Sequence, residues 1–380
     1  MTTYLLHDDA LASRELRHEI GEAVMDPITF MEQDGRRVVV GSPLEEAIFE
    51  TREDVVDEFW SVDDFGYDAL LRDDSFPNDL LGAEMVFRVL EKLGSSDVCV
   101  PASFSVLIAD YLRDKGIQLR VDQAAWAQRR RQKTPWELEG IERAQRAAET
   151  AMLTAARMLR DAEPTREGQL RFEGEILTAE LIRVGMEAEL LAQGAESQDI
   201  LVHAGDACLR GHDIGTGPIL PDTSCIIDCF PRDRRTGVYS DMTRTFVAGA
   251  PSDELQKLHG DCSRALEIAF ESIRPGRKDA FTAVARYFDS QGYPTQLTHH
   301  GPGSLRQGFM HSLGHGVGLE VHEQPWIGRR ADEFQVGDVV AVEPGLYFEG
   351  IGGVRLEDTV LVTDEGVEHF TDPYPYGLEP

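Results

Sequence analysis

The sequence predicts an α/β domain followed by a larger α+β domain, and three observations on the 380-residue chain support this fold class. Strand-like and helix-like patterns alternate up to about residue 125. A helix start with complete capping signals then opens a second part, which ends in strand-rich sequence. The chain is also longer than one compact core usually serves. We therefore expect one domain over residues 1–127 and another over residues 134–380.

In the first domain, apolar runs bounded by turn residues predict strands, and apolar residues at helical spacing predict the helices between them. The predicted strands are Ile28–Phe30, Arg36–Gly41, Asp97–Pro101 and Ile117–Val121. The predicted helices are Asp79–Leu93 and Ser103–Lys115, each followed by a glycine of the kind that ends helices. A glycine-rich nucleotide-binding loop is not recognisable in this part, which is therefore predicted to be a modest α/β domain.

The second domain is predicted to begin at Thr134, after a polar, arginine-rich connection over Gln128–Gln132. Thr134 is an N-cap residue, Pro135 suits the first helical position, and Glu137 completes a capping box. The pattern predicts four helices, which run from here to about Asp161, from about Gly168 to Gly185, over Asp253–Ile273 and over Ala280–Gln291. Strands are expected between Ser224 and Val247 and again in the last part of the chain.

The composition argues against several partners and compartments. A net charge of −31, from 37 basic and 68 acidic residues, repels nucleic acid and anionic membranes. No apolar run is long enough for a transmembrane span, and the first residues lack the pattern of a secretory signal. Five scattered cysteines, an odd number, indicate reduced thiols and hence a cytoplasmic protein.

The acidic composition has two interpretations. One is a protein that is acidic merely for solubility. The other is an acidic surface adapted to high salt, where ions screen the repulsion among carboxylates. Only 5 lysines accompany 32 arginines, and this scarcity of lysine beside abundant acidic residues favours the second interpretation.

Two stretches carry aspartates and histidines in a pattern typical of a metal site. The apolar run CIID delivers Asp228, and the strand VYSDMTRTFV places Asp241 on one face with two threonines. A buried aspartate needs a cation, although a hairpin with two surface carboxylates would show the same pattern. HSLGHGVGLEVHE holds His311, His315 and His322, and its glycines indicate backbone close to a ligand. A glycine-rich surface turn is the alternative, and the spacing excludes the helical HExxH zinc motif.

Two further stretches place glutamates inside apolar strand patterns. Glu343 lies in DVVAVEPGLYF and Glu357 in GGVRLEDTVLVTDEG. A carboxylate in such a place is coordinated or paired, for example Glu357 with the nearby Arg355. Together the stretches supply four carboxylates and one to three imidazoles. Such a carboxylate-rich set suits two hard-to-borderline divalent ions that share bridging carboxylates.

The ordered set D…D…GHG…HE…EPG…RLED resembles the dinuclear metallopeptidases with the pita-bread fold, which include methionine aminopeptidase, aminopeptidase P and prolidase. The resemblance covers about Thr134 to Thr371. It implies a pita-bread catalytic domain, and the α/β part before it implies the creatinase/prolidase-like N-terminal domain of the aminopeptidase P and prolidase branch. The separation of 13 residues between the two aspartates is longer than is common in the family. We therefore expect Pro231–Arg235 to form an enlarged loop away from the metals.

The resemblance implies a role for each motif residue. Two divalent ions are implied, with manganese as the first choice and cobalt or zinc as alternatives. The metal ligands would be Asp228, Asp241, His315, Glu343 and Glu357, of which Asp241 and Glu357 would bridge both ions. The catalytic residues would be three substrate-facing histidines, a proton-transferring glutamate and an arginine that fixes a ligand carboxylate: His212, His311, His322, Glu343 and Arg355.

On this basis we expect a metal-dependent Xaa-Pro peptidase, either an aminopeptidase P or an Xaa-Pro dipeptidase. A hydroxide bridging the two ions would attack the carbonyl before proline. The expected partners are a proline-containing peptide and a second copy of the chain in a homodimer, without nucleic acid or membrane. Two other functions are a non-catalytic binding protein with the same fold and a creatinase-like amidinohydrolase. Both lack metal ligands, and the five ligand positions present here argue against them.

Overall fold

The structure, a computed structural model, describes residues 2–50, 52, 55–211 and 213–380. The chain forms two compact units, Met1–Arg130 and Arg131–Pro380. No helix within the described ranges is both long and apolar enough to cross a membrane. All five cysteines are buried and carry free thiols.

The first unit is built on one six-stranded mixed sheet, with the order β4-β3-β2-β1-β5-β6. Its strands are β1 (Thr3–Asp8), β2 (Ile28–Gln33), β3 (Arg36–Gly41), β4 (Glu58–Ser61), β5 (Asp97–Val100) and β6 (Gln118–Val121). The helices are α1 (Arg14–Ile20), α2 (Glu46–Phe49), α3 (Tyr67–Leu71), α4 (Leu81–Leu93), α5 (Val106–Asp114) and α6 (Gln123–Arg131). Leu5 and Leu6 of β1 belong to different buried clusters, because successive strand residues face opposite sides of the sheet.

The predicted strands of this unit are present, and local backbone chemistry explains their ends. Asp34 and Gly35 turn β2 into β3 with φ angles of 54° and 82°, as a two-residue hairpin turn requires. Helix α5 begins later than the predicted Ser103. The reason is that the Ser105 hydroxyl accepts a hydrogen bond from the Ile108 N–H at 3.5 Å and caps the helix there.

The arginine-rich stretch expected as a connection is instead helical, so this prediction is wrong. Helix α6 starts after Asp122, whose carboxylate accepts from the Ala125 N–H at 3.0 Å. Trp126 is 1% exposed and anchors one side of the helix. Arg129 is not a linker residue either, because it pairs with two carboxylates of the same unit. Charge alone therefore misled the prediction, since these arginines compensate buried acids.

In the part of the chain that the structure describes, the second unit contains four α-helices and five small sheets. The helices are α7 (Pro135–Arg160), α8 (Ala179–Ala192), α9 (Asp253–Ser272) and α10 (Ala280–Ser290). The strands of its first half are β7 (Glu163–Pro164), β8 (Leu170–Phe172), β9 (Glu175–Ile176), β10 (Ala195–Glu196), β11 (Ile200–Ala204), β12 (Ser224–Cys229), β13 (Arg232–Asp233) and β14 (Met242–Val247). Those of its second half are β15 (Gly314–Gly316), β16 (Glu323–Ile327), β17 (Val339–Val342), β18 (Gly345–Phe348), β19 (Gly352–Arg355), β20 (Asp358–Thr363) and β21 (Gly366–His369).

A pair of helices covers each of the two larger sheets. Helices α7 and α8 share a buried cluster with the sheet β11-β12-β14, in which Ile182 and Ile227 are fully buried. Helices α9 and α10 share another with the sheet β16-β15-β17-β20-β21, through Phe281 and Val340. The predicted capping box at the start of α7 is confirmed, with the Thr134 hydroxyl accepting from the Glu137 N–H at 3.4 Å. The apolar cores thus lie between the helices and the outer faces of the sheets.

The predicted helix from about Gly168 to Gly185 is wrong in its first half. Strands β8 and β9 form a hairpin there, with Glu173 and Gly174 in the turn at φ angles of 50° and 91°. Helix α8 begins only after Thr178, whose hydroxyl accepts from the Leu181 N–H at 3.2 Å. The N-cap and the hairpin turn outweigh the helical spacing of the apolar residues.

The two larger sheets meet at one backbone bridge. Thr243 of β14 pairs with Glu357, where the Glu357 N–H donates to the Thr243 carbonyl at 3.1 Å. Asp228 lies opposite Thr243 in the register of β12 and β14. Strand β20, which follows Glu357, pairs with β17, which ends directly before Glu343. The topology therefore brings three of the predicted ligand positions to this joint.

Candidate metal centre

The two predicted aspartate ligands lie beside each other on β12 and at the start of β14. Asp228 belongs to a strand in which every residue is buried, and Asp241 is 4% exposed. The Thr359 hydroxyl accepts from the Asp241 N–H and donates to the Asp241 carbonyl, both at 2.9 Å. The backbone of Asp241 is thus tied to strand β20 of the other sheet.

His315 lies in β15 between two glycines that its surroundings require. A Cβ atom at Gly314 would lie 2.0 Å from the carbonyl oxygen of Ala341, and one at Gly316 would lie 2.2 Å from that of Gln324. Neighbouring backbone therefore approaches His315 closely on both sides. Its Nδ1 lies 3.1 Å from the Gly316 carbonyl, to which it can donate, so that Nε2 is left facing the carboxylates.

Glu343 and Glu357 lie at strand ends rather than inside strands. Glu343 directly follows β17, and Glu357 directly precedes β20. The Thr243 hydroxyl donates to Glu357 Oε2 at 2.6 Å, which orients this carboxylate. At a strand end a side chain is released from the packed sheet, so both glutamates can reach the same space.

All five predicted ligand residues line one cavity of about 660 Å³. His315 Nε2 lies 3.7 Å from Asp241 Oδ2 and 4.0 Å from Glu343 Oε1. One ligand atom each from Asp241, His315 and Glu357 falls within 4.8 Å of the others. The structure thus brings side chains from five separate segments to one cavity, and three of them lie close enough together to contact one ion.

The electrostatics of this cluster are unfavourable for the isolated carboxylates. Burial, reinforced by neighbouring carboxylates, raises the pKa of Asp241 and of Glu357 well above the usual range. Burial also raises the pKa of Glu343 to about 7. Burial, together with the nearby His322, lowers the pKa of His315 to about 3, so the His315 imidazole is neutral. Close carboxylates and a neutral imidazole form a donor set that favours cations.

Two buried carboxylate oxygens of the cluster also indicate a site for cations. Asp228 Oδ1 and Asp241 Oδ1 have no hydrogen-bond partner among the described residues. An unpartnered buried carboxylate oxygen is costly unless it meets a cation. These residues therefore fit divalent metal ions, which are the ordinary partners of such oxygens.

Arg355 lies at the edge of the cluster. Its Nη2 contacts Asp228 Oδ2, and its Nε lies 3.2 Å from the Thr243 hydroxyl. The distance from Nε to Glu357 Oε2 is longer, at 4.0 Å. Arg355 therefore pairs most closely with Asp228 and at a longer distance with Glu357, the partner considered from the sequence.

Two of the three predicted catalytic histidines lie at the cavity. His322 lines the cavity, and its ring centroid lies 4.3 Å from that of His315. His311 also lines the cavity, with Nε2 2.9 Å from the Tyr347 hydroxyl and Nδ1 3.7 Å from Glu343 Oε2. His212 lies outside the described residues.

Sequence reasoning missed Tyr347 and underused Thr243. Tyr347 is 2% exposed, lines the cavity and lies within 3.5 Å of Arg355 Nη1. Its position in the apolar run GLYF looked like ordinary strand sequence, so no signal marked it. Thr243 carried a signal, because it shares a strand face with Asp241 and so points toward the same space.

The stretch Pro231–Arg235 was expected to be an enlarged loop. Instead, Arg232 and Asp233 form strand β13, which pairs with β10. Asp233 accepts hydrogen bonds from Arg143 at 3.0 Å and from the Thr236 N–H at 2.9 Å. The extra residues are thus ordered by these contacts, and neither Arg232 nor Asp233 lines the cavity.

The chain is similar in sequence to Xaa-Pro dipeptidases of two Pyrococcus species. The Xaa-Pro dipeptidase of Pyrococcus furiosus is 30% identical over 243 residues, which are 63% of this chain and 62% of that protein. The Xaa-Pro dipeptidase of Pyrococcus horikoshii is 39% identical over 133 residues, which are 35% of each protein. The matches thus span less than two thirds of these relatives' own lengths.

Solved structures match over nearly the whole chain. The Xaa-Pro dipeptidase from Bacillus anthracis gives a TM-score of 0.78 at 22% identity and covers 99% of this chain and 94% of that one. The X-Pro aminopeptidase from Thermotoga maritima gives 0.76 at 20% identity and covers 99% and 97%. These structures confirm the predicted fold class, an α/β domain followed by an α+β domain of the pita-bread type.

A family model gives the assignment. The model of metallopeptidase family M24 matches residues 139–364, which is more than half of the chain. The match contains every predicted metal ligand, from Asp228 to Glu357. The resemblance drawn from the ordered motifs is confirmed, and the chain belongs to metallopeptidase family M24.

Proposed function

We propose that the protein is a metal-dependent Xaa-Pro peptidase, either an aminopeptidase P or an Xaa-Pro dipeptidase. The observation that carries this proposal is the convergence of the five motif residues, four carboxylates and one imidazole, on a single cavity in a chain of a metallopeptidase family. The Pyrococcus dipeptidases and the Thermotoga aminopeptidase support the choice of a peptide bond next to proline.

The proposed ligands are those that the sequence motifs imply. Asp241 and Glu357 would contact two divalent ions, Asp228 one of them, and His315 and Glu343 the other. Oxygen-rich ligation with one imidazole favours manganese, with cobalt and zinc as alternatives. When bound, such ions supply Lewis acidity and lower the pKa of a coordinated water. The chain supplies the fixed carboxylates, whose mutual repulsion is unfavourable when the ions are absent.

The other polar residues of the cavity would bind the peptide and move protons. His322 would donate a hydrogen bond to the oxyanion that forms at the scissile carbonyl, and His212 is proposed to act beside it. His311, held by the Tyr347 hydroxyl, would contact the substrate. Glu343 would accept a proton at its carboxylate and return it to the leaving nitrogen.

Arg355 and the apolar wall complete the proposed site. Arg355 would hold Asp228 in its ligand orientation, since its guanidinium contacts Asp228 Oδ2. The apolar side chains that line the cavity include Leu201, Phe230, Leu305, Met310 and Val321. Such a wall suits the ring of proline, whose tertiary amide offers no N–H to a polar pocket.

The test is hydrolysis of two proline peptides by the metal-free protein, with and without added Mn²⁺. We expect Mn²⁺-dependent release of alanine from Ala-Pro, from Ala-Pro-Ala or from both, and no cleavage of Ala-Ala-Ala. Cleavage of the dipeptide alone indicates a dipeptidase, and cleavage of the longer peptide indicates an aminopeptidase P. Failure to cleave either proline peptide at full metal occupancy would contradict the proposal.

We also infer the organisation in which this activity operates. Residues 1–127 are proposed as a creatinase/prolidase-like domain and residues 134–380 as the catalytic domain. Free buried cysteines support a cytoplasmic location, and the net charge of −31 supports a protein without nucleic-acid or membrane partners. A homodimer is proposed from the family resemblance. Light scattering should give twice the chain mass of 42.3 kDa, and a monomer mass at assay concentration would contradict the dimer.

A further inference from the structure

A buried arginine lies behind the strand that carries the first bridging carboxylate. Arg244 is fully buried, and it points away from Asp241 and Thr243 because alternate strand residues face opposite sides. Its Nη1 donates to the Thr243 carbonyl at 2.9 Å and to the Glu357 carbonyl at 2.8 Å. These two residues form the backbone bridge between the sheets. Arg244 therefore ties together the segments that present Asp241 and Glu357.

An acidic partner neutralises this arginine. Arg244 Nη2 donates to Asp358 Oδ1 at 2.8 Å, and the two side chains are 0% and 3% exposed. Asp358 directly follows Glu357 and pairs with the end of β17, which directly precedes Glu343. The ion pair therefore lies next to the backbone of two proposed ligands. A buried ion pair adds little to stability, because desolvation offsets the attraction. The placement of this pair points to a geometric role.

A segment of residues 374–378, here called the tyrosine segment, closes over the ion pair. The Tyr374 carbonyl accepts from Arg244 Nη2 at 2.8 Å, and the Pro375 carbonyl accepts from Nε at 3.2 Å. The Tyr376 hydroxyl donates to Asp358 Oδ2, and the Tyr376 ring centroid lies 4.4 Å from the guanidinium carbon. The segment thus supplies the remaining acceptors of the arginine and a partner for the second aspartate oxygen.

The tyrosine segment is itself anchored at two points. The Leu378 carbonyl accepts from the Val247 N–H at 2.8 Å, at the far end of β14. His259 of α9 contacts the Tyr376 carbonyl through Nε2. These contacts hold the segment along β14, so that Tyr376 stays over Asp358.

We propose that Arg244, Asp358 and the tyrosine segment together position the two bridging carboxylates, Asp241 and Glu357. This inference rests on the proposed metal site. None of the three lines the cavity, so Arg244 is a positioning residue that acts through the backbone of Glu357. Without the Tyr376 contact, Asp358 and Arg244 are held less firmly, the joint between the sheets loosens, and ions bind less tightly.

The experiment is calorimetric titration of Mn²⁺ into the metal-free, full-length protein. Arg244→Lys keeps the charge but loses the planar set of donors, and we expect about 10-fold weaker Mn²⁺ binding. Tyr376→Phe removes only the hydroxyl that contacts Asp358 and should weaken binding in the same direction by a smaller factor. Tyr374→Phe is the matched control, because it keeps both the backbone carbonyl that accepts from Arg244 and the ring, whose centroid lies 5.9 Å from the guanidinium carbon. It should bind Mn²⁺ as the parent does.

A second control separates positioning from general loss of stability. Ile182→Val shortens a fully buried side chain on α8, so it should lower the melting temperature while leaving Mn²⁺ affinity unchanged. Parent-like Mn²⁺ affinity in Tyr376→Phe would overturn the inference, and so would equal weakening in Ile182→Val. If Arg244→Lys does not fold, Tyr376→Phe decides alone. If the parent binds no Mn²⁺, the proposed function fails instead.

Discussion

Both units bury carboxylates, but they surround them differently. In the first unit, Arg129 Nη2 lies 2.8 Å from Glu19 Oε2 and 2.6 Å from Glu32 Oε2. Arg37 contacts the same two glutamates at 3.4 Å and 3.2 Å. Two arginines thus serve two acids, and the group is neutral without any ligand.

The cavity of the second unit has no such balance. Asp199 and the four proposed ligand carboxylates line it. Arg210 also lines the cavity but pairs with Asp213, so among the described residues Arg355 is the one guanidinium that contacts the four proposed ligands. Two carboxylate oxygens there have no hydrogen-bond partner among the described residues, and burial raises the pKa of three of the acids. The comparison teaches that buried acids alone do not mark a metal site. A deficit of protein cations around them does.

The largest expected effect comes from neutralising one cavity acid. Asp241→Asn should abolish turnover and reduce bound metal, because it removes a proposed shared ligand. The same change should raise the melting temperature of the metal-free protein, since it relieves repulsion within the cluster. In terms of pH, an acid with a raised pKa destabilises the fold as pH rises through that pKa, so the gain should appear at neutral pH and vanish in acid. Elemental analysis and thermal unfolding measure both effects.

The control for Asp241→Asn is Asp364→Asn, in an exposed hairpin turn. It should keep the parent's metal content, turnover and melting temperature. Full turnover by Asp241→Asn, or by the parent after chelation, would contradict the conclusion that the cavity carboxylates need metal ions.

The next effect concerns a cavity residue that is not a proposed ligand. His322→Ala should lower kcat by roughly two to three powers of ten, as loss of an oxyanion donor does in other enzymes. Metal content should stay at the parent's level. His300→Ala, at an exposed loop position, serves as the control and should leave kcat unchanged. Loss of metal from His322→Ala would show that His322 is a ligand and that the role of His315 needs revision.

The third effect tests the balanced region. Glu19→Gln should destabilise the protein by about 3 kcal/mol, because it removes a buried carboxylate and leaves two half-buried arginines with Glu32 as their one shared acid. Glu58→Gln breaks the exposed pair with Arg36, in which the side chains are 44% and 48% exposed, and should cost under about 1 kcal/mol. Denaturant unfolding of the metal-free variants measures both values. Asp241→Asn is expected to stabilise the metal-free protein, so a gain in stability from Glu19→Gln would contradict the difference drawn between the two units.

The smallest effect is spread over the whole surface. A net charge of −31 produces repulsion that salt screens, since the Debye length falls from about 10 Å at 0.1 M to about 3 Å at 1 M. The melting temperature should therefore rise between about 0.1 M and 2 M potassium chloride, as expected for an acidic surface adapted to salt. Chloride and sulfate should be compared, because sulfate also strengthens apolar burial. A flat or falling melting temperature in chloride would mean that the charge serves solubility alone.

Much of the fold could be predicted because short-range signals determine it. The capping residues at Thr134 and the turn glycine Gly35 lie within a few residues of the ends they set. The wrong predictions share a cause: a long-range contact or a competing local signal overrode the pattern. Arg129 and Arg130 of α6 pair with glutamates about a hundred residues away, and the hairpin before α8 interrupts helical spacing.

The candidate site could be predicted as a set of residues but not as a network. Asp228, Asp241 and the two glutamates stood out because carboxylates in apolar strands are rare. Tyr347 and Arg244 did not, because a tyrosine or an arginine in a strand is common until its partners are known. Their roles depend on contacts with Arg355 and Asp358, which only the folded chain brings near.

The central claim is that the carboxylates in the cavity of the second unit have too few protein cations around them, and that two divalent ions supply the missing positive charge. Equilibrium dialysis of the metal-free protein against Mn²⁺, followed by elemental analysis, tests it most directly. The account predicts two ions per chain for the parent and a clear loss in Asp241→Asn, with Glu19→Gln unchanged. Retention of fewer than one ion per chain by the parent, or equal retention by Asp241→Asn, would contradict it.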